Sequence, residues 1–321
     1  MTTSPHFLQL HDVDGRAMAE EAAAGLGARR AHVSPKFLYD PLGSRLFDAI
    51  TELAEYYPTR TEASIHAAQG AAIVEAALAS TGPAPVLVDL GAGNCAKAAQ
   101  LFGRLAPRRY VAVDISLDFL RQSLCLLQRE HPGVEMTGVA LDFSSCLELP
   151  PGVADGPALV LYPGSSIGNF SPDEAMRLLR EARALAAGGG LLIGVDLVKP
   201  VEVLEAAYDD PLGVTAAFNL NLLNNLNRLL GADFDLRQWR HVALFDERAS
   251  RIEMHLEARV ATRVRWPGGE RRFAAGERIH TENSYKWTPD AFEALLRQAG
   301  FGGVRCWTDP LGWFGVFLAT G

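Results

Sequence analysis

Residues 86–95 read VLVDLGAGNC, and the reading of that run decides the fold. An apolar stretch from Val86 to Leu90, interrupted only by Asp89 and stopped by glycine, has the pattern of a strand buried on both faces. Gly91 and Gly93 then permit a tight turn, and they let the backbone approach a ligand at the N-terminus of the next helix. Outward from this run the strand pattern recurs at 110–114 (YVAVD), 158–162 (ALVLY) and 191–196 (LLIGVD), with a weaker instance at 134–141. Helical signals fall between them. Thr59 and Glu62 have the spacing of a capping box ahead of an Ala-rich helix that ends near Ala79. Ser116 is placed to cap a helix with Leu117, Leu120, Leu124 and Leu127 on one face. Ser171-Pro172-Asp173-Glu174 supplies a cap, a proline at the first helical position and a capping-box glutamate. That helix stops at Gly188-Gly189-Gly190. Alternating strands and helices predict an α/β fold with a mostly parallel, Rossmann-like sheet.

The flanks read differently. Residues 1–58 hold a mobile-looking start and then an aromatic cluster: Phe37, Tyr39, Phe47, Tyr56 and Tyr57. Beyond residue 200 come an Asn/Leu-rich helical stretch (218–230), an alternating strand (252–264), a turn at Gly269 and a second strand-like run. A helix opened by Thr288-Pro289 and closed by Gly300 follows, and then a last strand at 312–319. The expected division is a central α/β domain over 59–199, with 1–58 and 200–321 forming one second α+β domain. No internal repeat or low-complexity segment is visible.

The 321 residues are 48% hydrophobic and 21% charged, enough for a sizeable core. Thirty Lys and Arg against 38 Asp and Glu give a formal charge of −8, with no dense basic run, so a nucleic-acid partner is not expected. Residues 1–14 lack the pattern of a signal peptide. The uncharged stretch 184–195 is too short for a bilayer. The four cysteines (Cys95, Cys125, Cys146, Cys306) show no paired spacing, and the eight histidines no ligand spacing. A reduced, cytoplasmic, monomeric protein without a metal is expected.

Three elements at strand ends suggest a cofactor. Asp114 ends the second strand, 21 residues after Gly93, where a carboxylate can accept both hydroxyls of an adenosine ribose. Asp142-Phe143 follows the third strand, with a carboxylate for an adenine amino group and a ring to cover the base. Lys97 lies on the helix after the turn and can meet a carboxylate. The run 91–96 also satisfies the dinucleotide pattern G-x-G-x-x-A. A pyrophosphate is a poor neighbour for Asp89, whereas a sulfonium cofactor carrying an ammonium group suits it. Both an S-adenosylmethionine-type and a nicotinamide cofactor stand at this point.

Further stretches carry a resemblance. They include Pro35-Lys36-Phe37-Leu38-Tyr39-Asp40, Glu55-Tyr56-Tyr57-Pro58-Thr59-Arg60-Thr61-Glu62, Gly164-Ser165-Ser166-Ile167-Gly168-Asn169, Ala207-Tyr208-Asp209-Asp210, Ile252-Glu253-Met254 and Thr281-Glu282-Asn283-Ser284. From about residue 35 onward, the set resembles the ergothioneine-pathway histidine Nα-methyltransferases. The resemblance implies a class I methyltransferase domain with a second, substrate-recognition domain. It also implies transfer of up to three methyl groups from S-adenosylmethionine to the α-amine of histidine, giving hercynine; a stand-alone enzyme is expected. On matching positions Gly91, Gly93, Lys97, Asp114, Asp142 and Phe143 hold the cofactor. Tyr56, Asn169 and Tyr208 take the substrate's backbone end, with Tyr39 near the amine and Gly164 lending a carbonyl; Tyr39 and Asn169 are the catalytic candidates. Met254, Glu282, Asn283 and Ser284 surround the imidazole. Tyr285 is bulkier than the resemblance leads one to expect, and the loop near Trp266 is shorter. Methylation of another free amino acid, and a nicotinamide-dependent oxidation, are the alternatives.

Overall fold

The computed structural model describes residues 4–10 and 15–321; the remainder of the stretch read as lacking a signal peptide lies outside the described residues. The strands in chain order are β1 (His6–Gln9), β2 (Val86–Leu90), β3 (Arg109–Asp114), β4 (Glu135–Ala140), β5 (Ala158–Tyr162), β6 (Gly190–Asp196), β7 (Trp239–Asp246), β8 (Arg251–Ala258), β9 (Thr262–Trp266), β10 (Gly269–Phe273), β11 (Arg278–Tyr285), β12 (Gly303–Thr308) and β13 (Phe314–Thr320). The helices are α1 (Gly15–Gly27), α2 (Pro41–Thr51), α3 (Tyr57–Thr81), α4 (Ala96–Leu105), α5 (Leu117–Glu130), α6 (Pro172–Ala186), α7 (Val201–Ala206), α8 (Val214–Leu230) and α9 (Pro289–Gln298).

The chain divides into two compact units. One comprises Met1–Asp12, Thr61–Leu197 and Trp287–Gly321; the other comprises Val13–Arg60 and Val198–Lys286. The first holds an eight-stranded sheet in the order β1-β4-β3-β2-β5-β6-β13-β12. Its first six strands pair in parallel, and β13 and β12 are antiparallel additions. Every residue of β2, β5 and β6 is buried, as continuous apolar runs require. Val86, Val88 and Leu90 face a core that includes Leu178, Leu179, Phe292 and Leu296. Leu87 faces the opposite core, with Ile73, Leu101, Phe102, Leu120 and Leu124. Chain order reverses at β2, which pairs with β3 on one side and β5 on the other. In open α/β sheets, ligands bind beyond the strand C-termini at such a reversal.

This division corrects the expected domain boundaries. Residues 287–321 belong with the parallel sheet, because β13 hydrogen-bonds along the whole of β6 and β12 along β13. The supposedly mobile start contains β1, which pairs with β4 in register from His6↔Thr137 to Gln9↔Ala140. The capping box at Thr59 is also corrected. Helix α3 already begins at Tyr57, and Glu62 is buried with its carboxylate engaged elsewhere. The Ser171–Glu174 capping box is present in full, and Ser116 Oγ accepts from Phe119 N.

The second unit holds an antiparallel sheet ordered β11-β8-β7 and a β9-β10 hairpin. The single strand expected over 252–264 is two strands, β8 and β9. In the hairpin, Trp266 pairs with Gly269 across a two-residue turn in which Gly268 has φ +85°. Helix α8 starts four residues before the expected boundary; it buries Phe218, Leu222 and Leu226 on one face.

Candidate active site

In the first unit, β2 ends in a turn that is left-handed at Gly91 (φ +68°), Gly93 (φ +52°) and Cys95 (φ +62°). The turn is bound to the end of β3: Gly91 N and Ala92 N donate to Val113 O at 2.8 and 3.1 Å. Gly93 N donates to Asp114 Oδ2 at 3.0 Å, and Ser116 N to Oδ1 at 3.1 Å. Burial pushes the Asp114 carboxyl above its usual range, and the amides of Gly93, Ser116 and Ile115 pull it back. Asp142-Phe143 follows β4 beside this turn, since Leu141 N donates to Asp114 O at 3.0 Å. The Phe143 ring stands edge-on to Tyr162 at 5.8 Å, and a Cβ placed on Gly91 would lie 3.8 Å from its tip. The structure thus brings Gly91, Gly93, Asp114 and Phe143 together.

Lys97, on the first turn of α4, donates to Glu62 Oε2 at 2.7 Å. Glu62 Oε1 accepts from Gly164 N at 2.9 Å. Sequence reading gave Glu62 only a capping role, and nothing in its local pattern distinguishes it from a solvated helix residue. Two glycines make room for the network: a Cβ on Gly164 would lie 2.9 Å from Lys97 Nζ, and one on Gly194 2.1 Å from Glu62 Oε1. Gly164 opens the segment that ends in the 3₁₀ turn Ser166–Asn169, which places Asn169 beyond β5. Ser165 Oγ anchors this segment by accepting from Asp196 N at 2.8 Å.

An S-adenosylmethionine-type cofactor fits these groups. Asp89 is 2% exposed; Tyr110 donates to its Oδ2 at 2.8 Å, while Oδ1 is buried with no hydrogen-bond partner among the described residues. Burial raises its pKa to about 7, against the hydrogen bond from Tyr110. An orphaned carboxylate oxygen suits an ammonium donor, and a pyrophosphate would be repelled there.

The second unit carries the other expected residues. Tyr39 meets Phe47 at 5.6 Å and Phe218 at 5.5 Å, both edge-on. Tyr56 meets Phe47 at 6.1 Å and Tyr208 at 6.4 Å. In the sheet, Glu282 pairs with Met254 and Ser284 with Ile252, after a register shift between His280 and Glu282. Cross-strand partners share a face and neighbours along a strand alternate, so Met254, Glu282 and Ser284 lie on one face. All three are buried. Asn283 falls on the opposite face, where its Oδ1 is 2.9 Å from His280 Nε2, so its side chain is not brought to the others. Tyr285 is on that opposite face too and accepts from Arg251 Nη1 at 2.6 Å; its bulk does not crowd Glu282 and Ser284.

Tyr208 was expected at a substrate's backbone end. Its hydroxyl lies 2.7 Å from Ser284 Oγ. Its backbone is held by His241, whose Nε2 is 2.8 Å from Tyr208 O. Asn219 Nδ2 lies 2.9 Å from His241 Nδ1 and 3.0 Å from His255 O. The amide must present its NH₂ there, because turning it would set an oxygen against two acceptors. His241 is therefore the Nε2–H tautomer, and burial lowers its pKa and keeps it neutral. Sequence reading passed over Asn219, His241 and the buried Lys286, which contacts both Tyr208 and Ser284. The one available signal was that Lys286 stands two residues after Ser284, at strand spacing.

Residues 18–321 match the family model described as a histidine-specific, SAM-dependent methyltransferase. The chain belongs to that family. Histidine N-alpha-methyltransferase of Mycolicibacterium smegmatis is 42% identical over 96% of both chains. The protein of the same name from Mycobacterium tuberculosis is 41% identical, again over 96% of each. Ergothioneine biosynthesis protein 1 of Schizosaccharomyces pombe is 27% identical over 91% of this chain and 39% of its own length. Membership decides between the two cofactors left open by the glycine turn: the family uses S-adenosylmethionine, and the nicotinamide reading falls. No helix among the described residues is long and apolar enough to cross a membrane.

Proposed function

We propose that this methyltransferase acts on the α-amine of L-histidine, transferring up to three methyl groups to give hercynine, within ergothioneine biosynthesis. The observation that carries this reading is the buried face holding Met254, Glu282 and Ser284, joined to Tyr208 through Ser284. A carboxylate accepts an imidazole N–H, a hydroxyl meets the other ring nitrogen, and a thioether packs on the ring. A buried polar pair left unmatched by an apolar side chain is costly, so such a face selects strongly for histidine. The names of the relatives at 42% and 41% identity support the same substrate.

The cofactor supplies, when bound, an electrophilic methyl on a sulfonium. In the unit with the parallel sheet, Asp114 accepts ribose hydroxyls, Phe143 and Asp142 take the adenine, and Gly91 and Gly93 let the backbone approach. Lys97 meets the methionine carboxylate, and Asp89 offers its buried Oδ1 to the ammonium. Asn169 and the Gly164 carbonyl are polar groups for the substrate amine. In the other unit, Tyr39 and Tyr56 line an aromatic cluster that tolerates a growing methylammonium. Positioning an amine lone pair in line with the methyl carbon supplies much of the rate enhancement without a strong base. We further propose a cytoplasmic monomer that takes a small zwitterion and no nucleic acid. Mass spectrometry of a reaction containing histidine and S-adenosylmethionine tests the proposal: gains of one, two and three methyls support it, and unmodified histidine beside a consumed alternative amino acid sinks it.

A further inference from the structure

Lys286 is 3% exposed. Its ammonium donates to Ser284 Oγ at 2.7 Å and to the Tyr208 hydroxyl at 3.2 Å, and Nζ lies 4.8 Å from the centre of the Tyr208 ring. The two hydroxyl oxygens are themselves 2.7 Å apart. An ammonium has hydrogens and no lone pair, so both oxygens must accept from it. One hydroxyl must then donate to the other. The phenol is the stronger acid and the poorer acceptor, which makes Tyr208 the donor. Ser284 Oγ therefore accepts twice, both of its lone pairs are occupied, and its own hydrogen points away from Lys286 and Tyr208.

We propose that Lys286 is a specificity-determining positioning residue that fixes Ser284 as an obligate hydrogen-bond donor toward the substrate ring. The proposal rests on the imidazole reading of Glu282 and Ser284. Glu282 accepts and Ser284 donates, so the pair reads one neutral tautomer of imidazole, with its N–H on Glu282 and its bare nitrogen on Ser284. A ring without nitrogen at that place leaves a buried donor unmatched. Once Lys286 is removed, the serine hydroxyl is free to turn and donate to Tyr208, and it then sets an oxygen lone pair against the nitrogen lone pair.

A double-mutant cycle on the full chain tests this. Wild type, Lys286→Met, Ser284→Ala and the double variant are assayed with histidine varied at saturating S-adenosylmethionine, and S-adenosylhomocysteine affinity is measured in parallel as a check on folding. Lys286→Met is expected to raise the KM for histidine roughly tenfold or more, the size of one charge-assisted hydrogen bond. The kcat and the S-adenosylhomocysteine affinity are expected to stay within about threefold of wild type. In the Ser284→Ala background the lysine change adds nothing further, because its action runs through the serine. Lys286→Arg recovers part of the loss. Lys286→Leu, which also removes the donor, replaces Lys286→Met in the same cycle if the methionine variant loses S-adenosylhomocysteine binding. An unchanged KM for histidine, or effects that multiply in the double variant, overturns the proposal alone while wild type still methylates histidine. Failure of wild type to methylate histidine overturns this proposal together with the function it rests on.

Discussion

Lys97 Nζ lies 2.7 Å from Glu62 Oε2, and Glu62 Oε1 receives the Gly164 amide at 2.9 Å. One buried carboxylate thus ties the helix after the glycine turn to the segment after β5. Lys97 is 43% exposed on its side chain and Glu62 only 4%, so the glutamate is the fixed partner and the lysine the one it holds. Glu62→Ala is expected to leave the Gly164 amide without its acceptor, costing about 1–3 kcal/mol. Denaturant unfolding measures that loss, and calorimetry with S-adenosylhomocysteine is expected to show weaker binding as Lys97 loses its anchor. Gly194→Ala reaches the same network by crowding, since its Cβ would fall 2.1 Å from Glu62 Oε1. A comparable or larger destabilisation is expected.

The pH behaviour of the ligand-free protein follows from Asp89, whose pKa is raised from 3.8 to about 7, chiefly by burial. A carboxyl raised in the folded chain binds its proton more tightly there than in the unfolded chain. Its contribution to stability is therefore fully present below about pH 4 and is lost as pH rises through about 7. An ammonium beside Asp89 favours the charged form, so cofactor affinity is expected to rise with pH through the same window, with proton release. Titration calorimetry of S-adenosylhomocysteine in buffers of different ionisation enthalpy measures this. Asp89→Asn is expected to remove the proton release; a variant that still releases it would take Asp89 out of the cofactor site.

Asp114→Ala is expected to weaken cofactor binding by about tenfold or more, the worth of a charged acceptor shared by two hydroxyls. Histidine KM at saturating cofactor is expected to change little. Equal effects on both substrates would mean that Asp114 serves the turn, through Gly93 and Ser116, rather than the ribose.

Asn219→Leu removes the donor to His241 Nδ1 and His255 O. A destabilisation of about 1–3 kcal/mol is expected from the acceptors left buried. Because His241 holds the Tyr208 backbone, KM for histidine is expected to rise while cofactor affinity stays constant. Steady-state kinetics with each substrate varied separates the two.

The parallel sheet was legible because β2, β3, β5 and β6 are buried on both faces and so read as unbroken apolar runs. The glycine turn was legible for a related reason, since Gly91 and Gly93 occupy left-handed backbone that few other residues adopt. β1 was not: its four residues, His6–Gln9, are short, mixed and only half buried, and their place is set by pairing with β4, 131 residues away in sequence. Glu62 and Lys286 were missed because their partners lie on other elements or beyond a strand's end, and a charged residue on a helix or strand is ordinarily solvated. Asn283 was grouped with Glu282 and Ser284 by adjacency, and the alternation of side chains along β11 separates it from them. Residues 287–321 were assigned to the wrong unit because the last strand's pattern does not reveal which sheet edge it joins.

The most direct measurement is titration of the S-adenosylhomocysteine-loaded protein with histidine, for wild type and Glu282→Ala, alongside mass spectrometry of the turnover mixture. The expected result is saturable histidine binding and stepwise products up to three methyls in wild type, with histidine affinity lost by tenfold or more and cofactor affinity kept in Glu282→Ala. Histidine that neither binds nor gains methyls, or a Glu282→Ala variant that binds both molecules as wild type does, would contradict it.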